Sequence, residues 1–274
     1  MRKAHEYDYL ADGFMPSNVA YPKGALAAKR ALALDSTSGE AYSAAALINA
    51  NGEWDWPRAR HDFERAHALS PNEPWAYEAE ALYWWAMRRP ERVIQSARQA
   101  LMRDPVSPLI NYFLVTALAF SGQPDSAIAQ DHRLAEIAPG FAYVDAMVGY
   151  AYLLKGMNAE AEKAFKGIEP KLGYRSAGLG VLYARTGRRQ EAAAIARSLE
   201  SQSRKTYIVP EFIAEIYAAL GDRDRMYFWL EKGVATHSGF APFLGEFFPV
   251  DAYRQEPRFK ALLKRVGIAE DVPR

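Results

Sequence analysis

The sequence predicts an all-α solenoid, a stack of helical hairpins closed by a separate C-terminal helix. One four-residue skeleton occurs three times in succession: Val93, Ala97, Ala100 and Pro105; Ala127, Asp131, Leu134 and Pro139; Ala161, Phe165, Ile168 and Gly173. Corresponding positions lie 34 residues apart, and the steps within each set are four, three and five. Steps of four and three keep side chains on one helical face. The Pro or Gly five residues further on breaks that helix.

A period of 34 with this internal spacing resembles the tetratricopeptide repeat, a helix–turn–helix unit that cannot bury its apolar face alone and so stacks on its neighbours. The resemblance implies a right-handed superhelix of six to seven repeats. On that reading residues 1–274 form one domain: a partial repeat at 1–36, central repeats at 37–239 and a C-terminal cap at 240–274.

Taken in order, Ala4–Phe14 reads as a short helix, and "MPSNVAYP" (15–22) as a loop rich in turn formers. Gly24, Ala28 and Ala31 repeat the four-and-three step in the second helix of an opening repeat. A first helix over Glu40–Asn51 breaks at "NGEWDW", and Pro57 suits the first turn of the next, where a missing N–H costs nothing. Ala59, Phe63, Ala66 and Pro71 restore the skeleton ahead of the three 34-residue periods. Tight turns are expected at 87–91, 121–125 and 155–159, with Gly122 and Gly156 left-handed at the helix ends. Gly149 and Gly180 are expected where the two helices of a repeat cross closely, beside Tyr152 and Tyr183. The period shortens to 31 at Gly187, Ala192, Ala196 and Leu199, and a last repeat carries Tyr217, Gly221, Met226, Leu230 and Gly233. From Leu244 the pattern dissolves into a loop and an amphipathic helix, Pro257–Val266. Terminal units of a solenoid are atypical because one face meets water.

Half of the 274 residues are apolar and the net charge is +1, which excludes wholesale disorder and gives no basic footprint for nucleic acid or an anionic membrane. The chain has no cysteine, so disulfides, thiolate metal sites and a cysteine nucleophile are impossible. No run reaches the ~18 apolar residues of a spanning helix, and Met1–Phe14 has no signal-peptide core; a cytoplasmic location is expected.

Longer phrases narrow the resemblance. "WDWPRARHDFERAHALSPN" (54–72), "YLLKGMNAEAEKAFKGI" (152–168), "VPEFIAEIYAALGDRDRMYFWLEKG" (209–233) and "DAYRQEPRFKALLKRVGI" (251–268) are similar to the C-terminal repeat domain of bacterial winged-helix transcriptional regulators and of adenylate-cyclase-like and kinase-like fusions. This implies a sensory or protein-interaction module without catalytic residues or cofactor. No winged helix lies within these residues, so DNA binding is not carried over; the chain is expected to be a free-standing relative or an excised domain.

In tetratricopeptide arrays the first helices line a concave groove, and the resemblance implies that a ligand sits there. That side carries Trp75, Glu78, Leu82 and Trp85; Leu109, Tyr112, Thr116 and Phe120; Tyr143, Tyr150 and Leu154; Tyr174, Val181 and Arg185; then Glu211 and Glu215. The cationic clamp that grips a C-terminal carboxylate in chaperone-binding arrays does not fit, because its positions hold Ala44, Glu78, Tyr112 and Ala146. An exposed aromatic stripe of this size points to a contact site. The expected occupant is an apolar or aromatic peptide or partner, with Glu78, Glu211 and Glu215 steering a cationic group. Two alternatives stay open: the rings pack between adjacent helices, or the chain is a self-associating scaffold that forms a homodimer through the aromatic face or a repeat end.

Enzyme signatures are missing. His61 and His67 are six apart, wrong for two ligands on one helical face, and no His-Glu-x-x-His, phosphate loop or nucleophile elbow occurs. "GLG" (178–180) lies inside a helix and reads as packing. Asp131 stands in a slot that holds Phe63 and Phe165 elsewhere, with His132 beside it, and is expected to be solvated or paired with an Arg, the alternative being a functional carboxylate–histidine pair.

Overall fold

Small side chains every third or fourth residue let helices pair closely, and the chain folds as a run of helical hairpins. The computed structural model describes residues 6–7, 11, 15–139, 144–170, 173–244 and 248–268. Helix α1 spans Ser17–Leu34. The hairpins are α2 (Gly39–Leu47) with α3 (Trp56–Leu69), α4 (Pro74–Ala86) with α5 (Pro90–Leu101), and α6 (Pro108–Phe120) with α7 (Pro124–Ile137). They continue as α8 (Val144–Leu154) with α9 (Asn158–Gly167), α10 (Gly173–Arg185) with α11 (Arg189–Gln202), and α12 (Pro210–Leu220) with α13 (Arg223–Ala235). Helix α14 (Pro257–Arg265) closes the chain, and no strand occurs among the described residues. The expected helix at 4–14 lies largely outside them.

The repeat skeleton is the core. Ala59, Phe63 and Ala66, Val93, Ala97 and Ala100, Ala127 and Leu134, and Ala161, Phe165 and Ile168 are all buried. Asp131 alone breaks the set: it is half-buried, and its charge, after burial itself, helps push the Tyr152 hydroxyl up. Helix starts are marked by prolines in the first turn of α3 to α7 and of α12, where the lost N–H had no partner.

The turn inside each hairpin repeats one left-handed residue. Gly122, Gly156, Gly187 and Gly221 take φ of 77°, 73°, 84° and 75°, as their spacing predicts. One and two periods upstream the same slot holds Arg88 (φ 57°) and Trp54 (φ 55°), side chains that pay a steric cost in this region.

Three expectations need correction. Residues 17–22 are helical, with Pro22 inside α1, because burial of Ser17, Ala20 and Tyr21 outweighs the hydrogen bond that Pro22 cannot make. Gly149 is small to admit the Phe165 ring, while Gly180 lies against Ile216 of the next first helix rather than against its own partner helix. The stack is also not an open rod whose units touch only their neighbours. The Trp56 indole N–H donates to the Val266 carbonyl at 2.7 Å, across 210 residues, and the Gly239 N–H donates to Ser17 Oγ at 3.1 Å. The two ends therefore meet.

Candidate inner-wall binding site

The end-to-end contact decides what becomes of the inner wall. After α13 the chain leaves the repeat pattern at His237, a third non-glycine residue with positive φ, 51°. It then runs through two short 3-10 turns, Ala241–Phe243 and Phe248–Tyr253, across the first helices. His237 stacks on Trp54 at 4.1 Å with an interplanar angle of 11°. The Ser238 hydroxyl donates to Glu211 Oε2 at 2.8 Å and accepts from the Phe240 N–H at 3.2 Å. The Phe240 ring lies 5.1 Å from Phe212 and 5.8 Å from Tyr174, and the Phe243 ring 4.7 Å from Trp85. The Tyr253 hydroxyl donates to the Ala218 carbonyl at 3.2 Å. This stretch is called the strap below.

The expected stripe lies largely under this cover or within the stack. Glu78, Leu82, Tyr112, Thr116, Tyr150, Tyr174, Val181, Glu211 and Glu215 are buried rather than exposed. Trp85 and Phe120 are half-buried. Trp75 and Leu154 retain 38% and 37% exposure, and Arg185 is exposed. Tyr143 lies outside the described residues. The open aromatic surface is thus corrected to a covered one, because the curve of the stack brings non-repeat chain back onto its own concave side.

Several of the wall's polar groups bond within the chain. The Tyr150 hydroxyl donates to Glu215 Oε2 at 2.5 Å, linking α8 to α12, and the Thr116 hydroxyl donates to the Tyr112 carbonyl. Burial pushes the Glu211 carboxyl up to about 7 against the hydroxyl of Ser238. Burial pushes Glu215 up to about 8; the Tyr150 hydroxyl opposes this and the charge of Glu211 adds to it. Glu78, Glu211 and Glu215 are all buried, so none is presented to a cation in solution, which corrects that expectation.

Sequence reasoning missed the strap itself. Its signal is "HSGFAPF" (237–243), where a glycine and a proline end the helical pattern while two phenylalanines keep an apolar spacing of three. It also missed a second concavity. A cleft of about 720 Å³ opens between α1, α2 and α3, floored by Ala25, Ala28 and Ala45. Ala28 precedes Phe63 by 35 residues, so the large ring of the later repeat is replaced by a methyl. Beside it α2 widens into a π turn, Ile48–Gly52, from which Asn49 donates to the buried Asp62 at 2.7 Å.

Comparison with known proteins places the architecture. No protein-family model matches the chain, and no curated relative does. Solved structures do. The tetratricopeptide-repeat protein TTC0263 of Thermus thermophilus is 21% identical, over 60% of this chain and 90% of that one, with a TM-score of 0.52. The Cut9–Hcn1 hetero-tetramer of the APC/C covers 96% of this chain at 14% identity and a TM-score of 0.64; the match spans 51% of that chain. Pseudomonas aeruginosa PilF covers 75% of this chain and 94% of its own at 14% identity and a TM-score of 0.53. The class of protein is therefore an all-helical, tetratricopeptide-like solenoid.

Proposed function

We propose that the chain is a non-catalytic protein-interaction module that takes an apolar, aromatic segment of a partner protein on its inner wall. One observation carries this: rings from α4, α10 and α12 converge on the concave side, and what covers them is an irregular, phenylalanine-bearing length of chain rather than another hairpin. Repeat stacking alone does not require sockets of that kind. The resemblance to the repeat domains of bacterial regulators supports a place in a signalling or transcription system, and the absence of cysteine from the sequence suits a cytoplasmic one. No helix among the described residues is long and apolar enough to cross a membrane. The Cut9–Hcn1 assembly is a neighbour in which such a fold meets a protein partner.

Selection of random peptides displayed on phage against the intact chain tests the reading. An aromatic consensus is expected, lost on Trp85→Ala and on Phe212→Ala chains that keep their helical circular dichroism. A consensus without aromatic residues, or none in repeated selections, overturns it.

A further inference from the structure

The strap reports the chemistry of its own replacement. We infer that Ser238–Phe243 occupies the partner site as a built-in stand-in, so that the wall recognises a turned Ser-x-Phe-x-x-Phe peptide segment and admits it by displacing the strap. This rests on the inner-wall reading above and names the class of segment bound.

Three sockets define the pattern. Glu211 Oε2 receives the hydroxyl of Ser238, Tyr174 and Phe212 flank the ring of Phe240, and Trp85 receives that of Phe243. Ser238, Phe240 and Phe243 are 1%, 9% and 7% exposed, so each socket is filled. They are filled in shape but not in hydrogen bonding. Among the described residues, Glu211 Oε1 and the indole N–H groups of Trp54 and Trp85 are buried without a hydrogen-bond partner. All three belong to residues that touch the strap, and buried polar groups left unpaired are costly. A peptide backbone offers the two kinds of group that are lacking: carbonyls for the indoles and N–H donors for the carboxyl. A segment able to supply them in this register binds better than the strap does.

The strap leaves the repeats at a helix end. Its first residue, His237 (φ 51°), ends α13 in the left-handed slot that Trp54 (φ 55°) fills in its own turn, with the Ser238 N–H donating to the Gly233 carbonyl at 2.9 Å, and the two rings stack. The structure therefore holds the site closed by a contact that fits the rings and leaves polar demand unmet, the condition under which a better-matched competitor wins.

The experiment uses the intact chain and a capped synthetic peptide of residues 236–244, titrated by calorimetry. On Phe240→Ala/Phe243→Ala chain the peptide is expected to bind at least about tenfold more tightly than on wild type, since the sockets are no longer filled. A peptide with both phenylalanines changed to alanine should bind neither. Ser238→Ala, a milder change, serves if the double variant loses its helical spectrum, and should raise peptide affinity severalfold. Equal affinity on wild-type and strap-weakened chains, equal affinity for the two peptides, or no binding to any chain overturns the inference. If phage selection yields an aromatic consensus lacking the two-ring spacing, the inner-wall reading stands and this inference falls.

Discussion

Phe165→Ala is expected to lower the unfolding free energy by about 3–5 kcal/mol, the range for deleting a fully buried phenyl ring. The ring has 0% exposure and lies between two glycines: a Cβ built at Gly149 or at Gly178 would run into it from either side. Tyr150 meets its edge at 5.3 Å. One side chain of α9 thus joins α8 to α10. Denaturant titration followed by circular dichroism measures the loss. The control is a cycle with Gly178→Ala: in the wild type the added methyl should cost about 1–3 kcal/mol by overpacking, while in the Phe165→Ala background it should be neutral or restoring. Additive effects would show that the glycines do not serve the ring. A linear solenoid would lose such stability locally, unit by unit. Here the Trp56–Val266 and Ser17–Gly239 bonds tie the ends together, so a single transition is expected.

That contrast marks how far the sequence could be read. The 34-residue interval located the buried face of each hairpin, and Gly122 and Gly156 fell in the left-handed slot, because both properties are local: one helical face, one turn. The interval also picked out Tyr150, Tyr174, Glu211 and Glu215 on the first helices, where Tyr150 bonds to Glu215 and the other two meet the strap. It could not say that they are covered. Coverage depends on the small rotation between successive hairpins, summed over the stack, and on where a segment outside the pattern goes. Neither quantity is written in the spacing of one repeat. Helix α1 shows the same limit on a smaller scale: Pro16, Ser17, Asn18 and Pro22 have the composition of a loop, but Tyr21 is 2% exposed and its packing outweighs local preference. Trp54 and Arg88 show the reverse case. Two periods of simple subtraction from Gly122 identify them as left-handed, although neither residue type suggests it.

The buried carboxyls make stability fall as pH rises through neutrality, opposite to the usual behaviour of acidic groups. Glu211 and Glu215 stand near 7 and 8 in the folded chain against 4.5 for a solvated glutamate. Below 4.5 both states hold the protons and the folded chain keeps its full stability. Between 4.5 and about 8 the unfolded chain releases them first, so it gains with rising pH and the native state loses; above about 8 the loss is complete. At 1.36 kcal/mol per pH unit the displacement amounts to about 3 kcal/mol for Glu211, and the pair together to several. Glu162, held down to about 2 first by Lys166 and then by Tyr183, acts in the other direction but below 4.5, outside this window. Urea midpoints should therefore peak near pH 5 and decline towards pH 8.5. Glu211→Gln/Glu215→Gln keeps the shape and removes both ionisations, so its midpoint should stay level over that span and exceed the wild-type value at pH 8.5. A wild-type midpoint that rises between pH 5 and pH 8 would mean that the carboxyls ionise freely in the native chain. The wall would then be wet, and its closure by Ser238–Phe243 would have to be looser than the 2.8 Å bond from Ser238 to Glu211 implies.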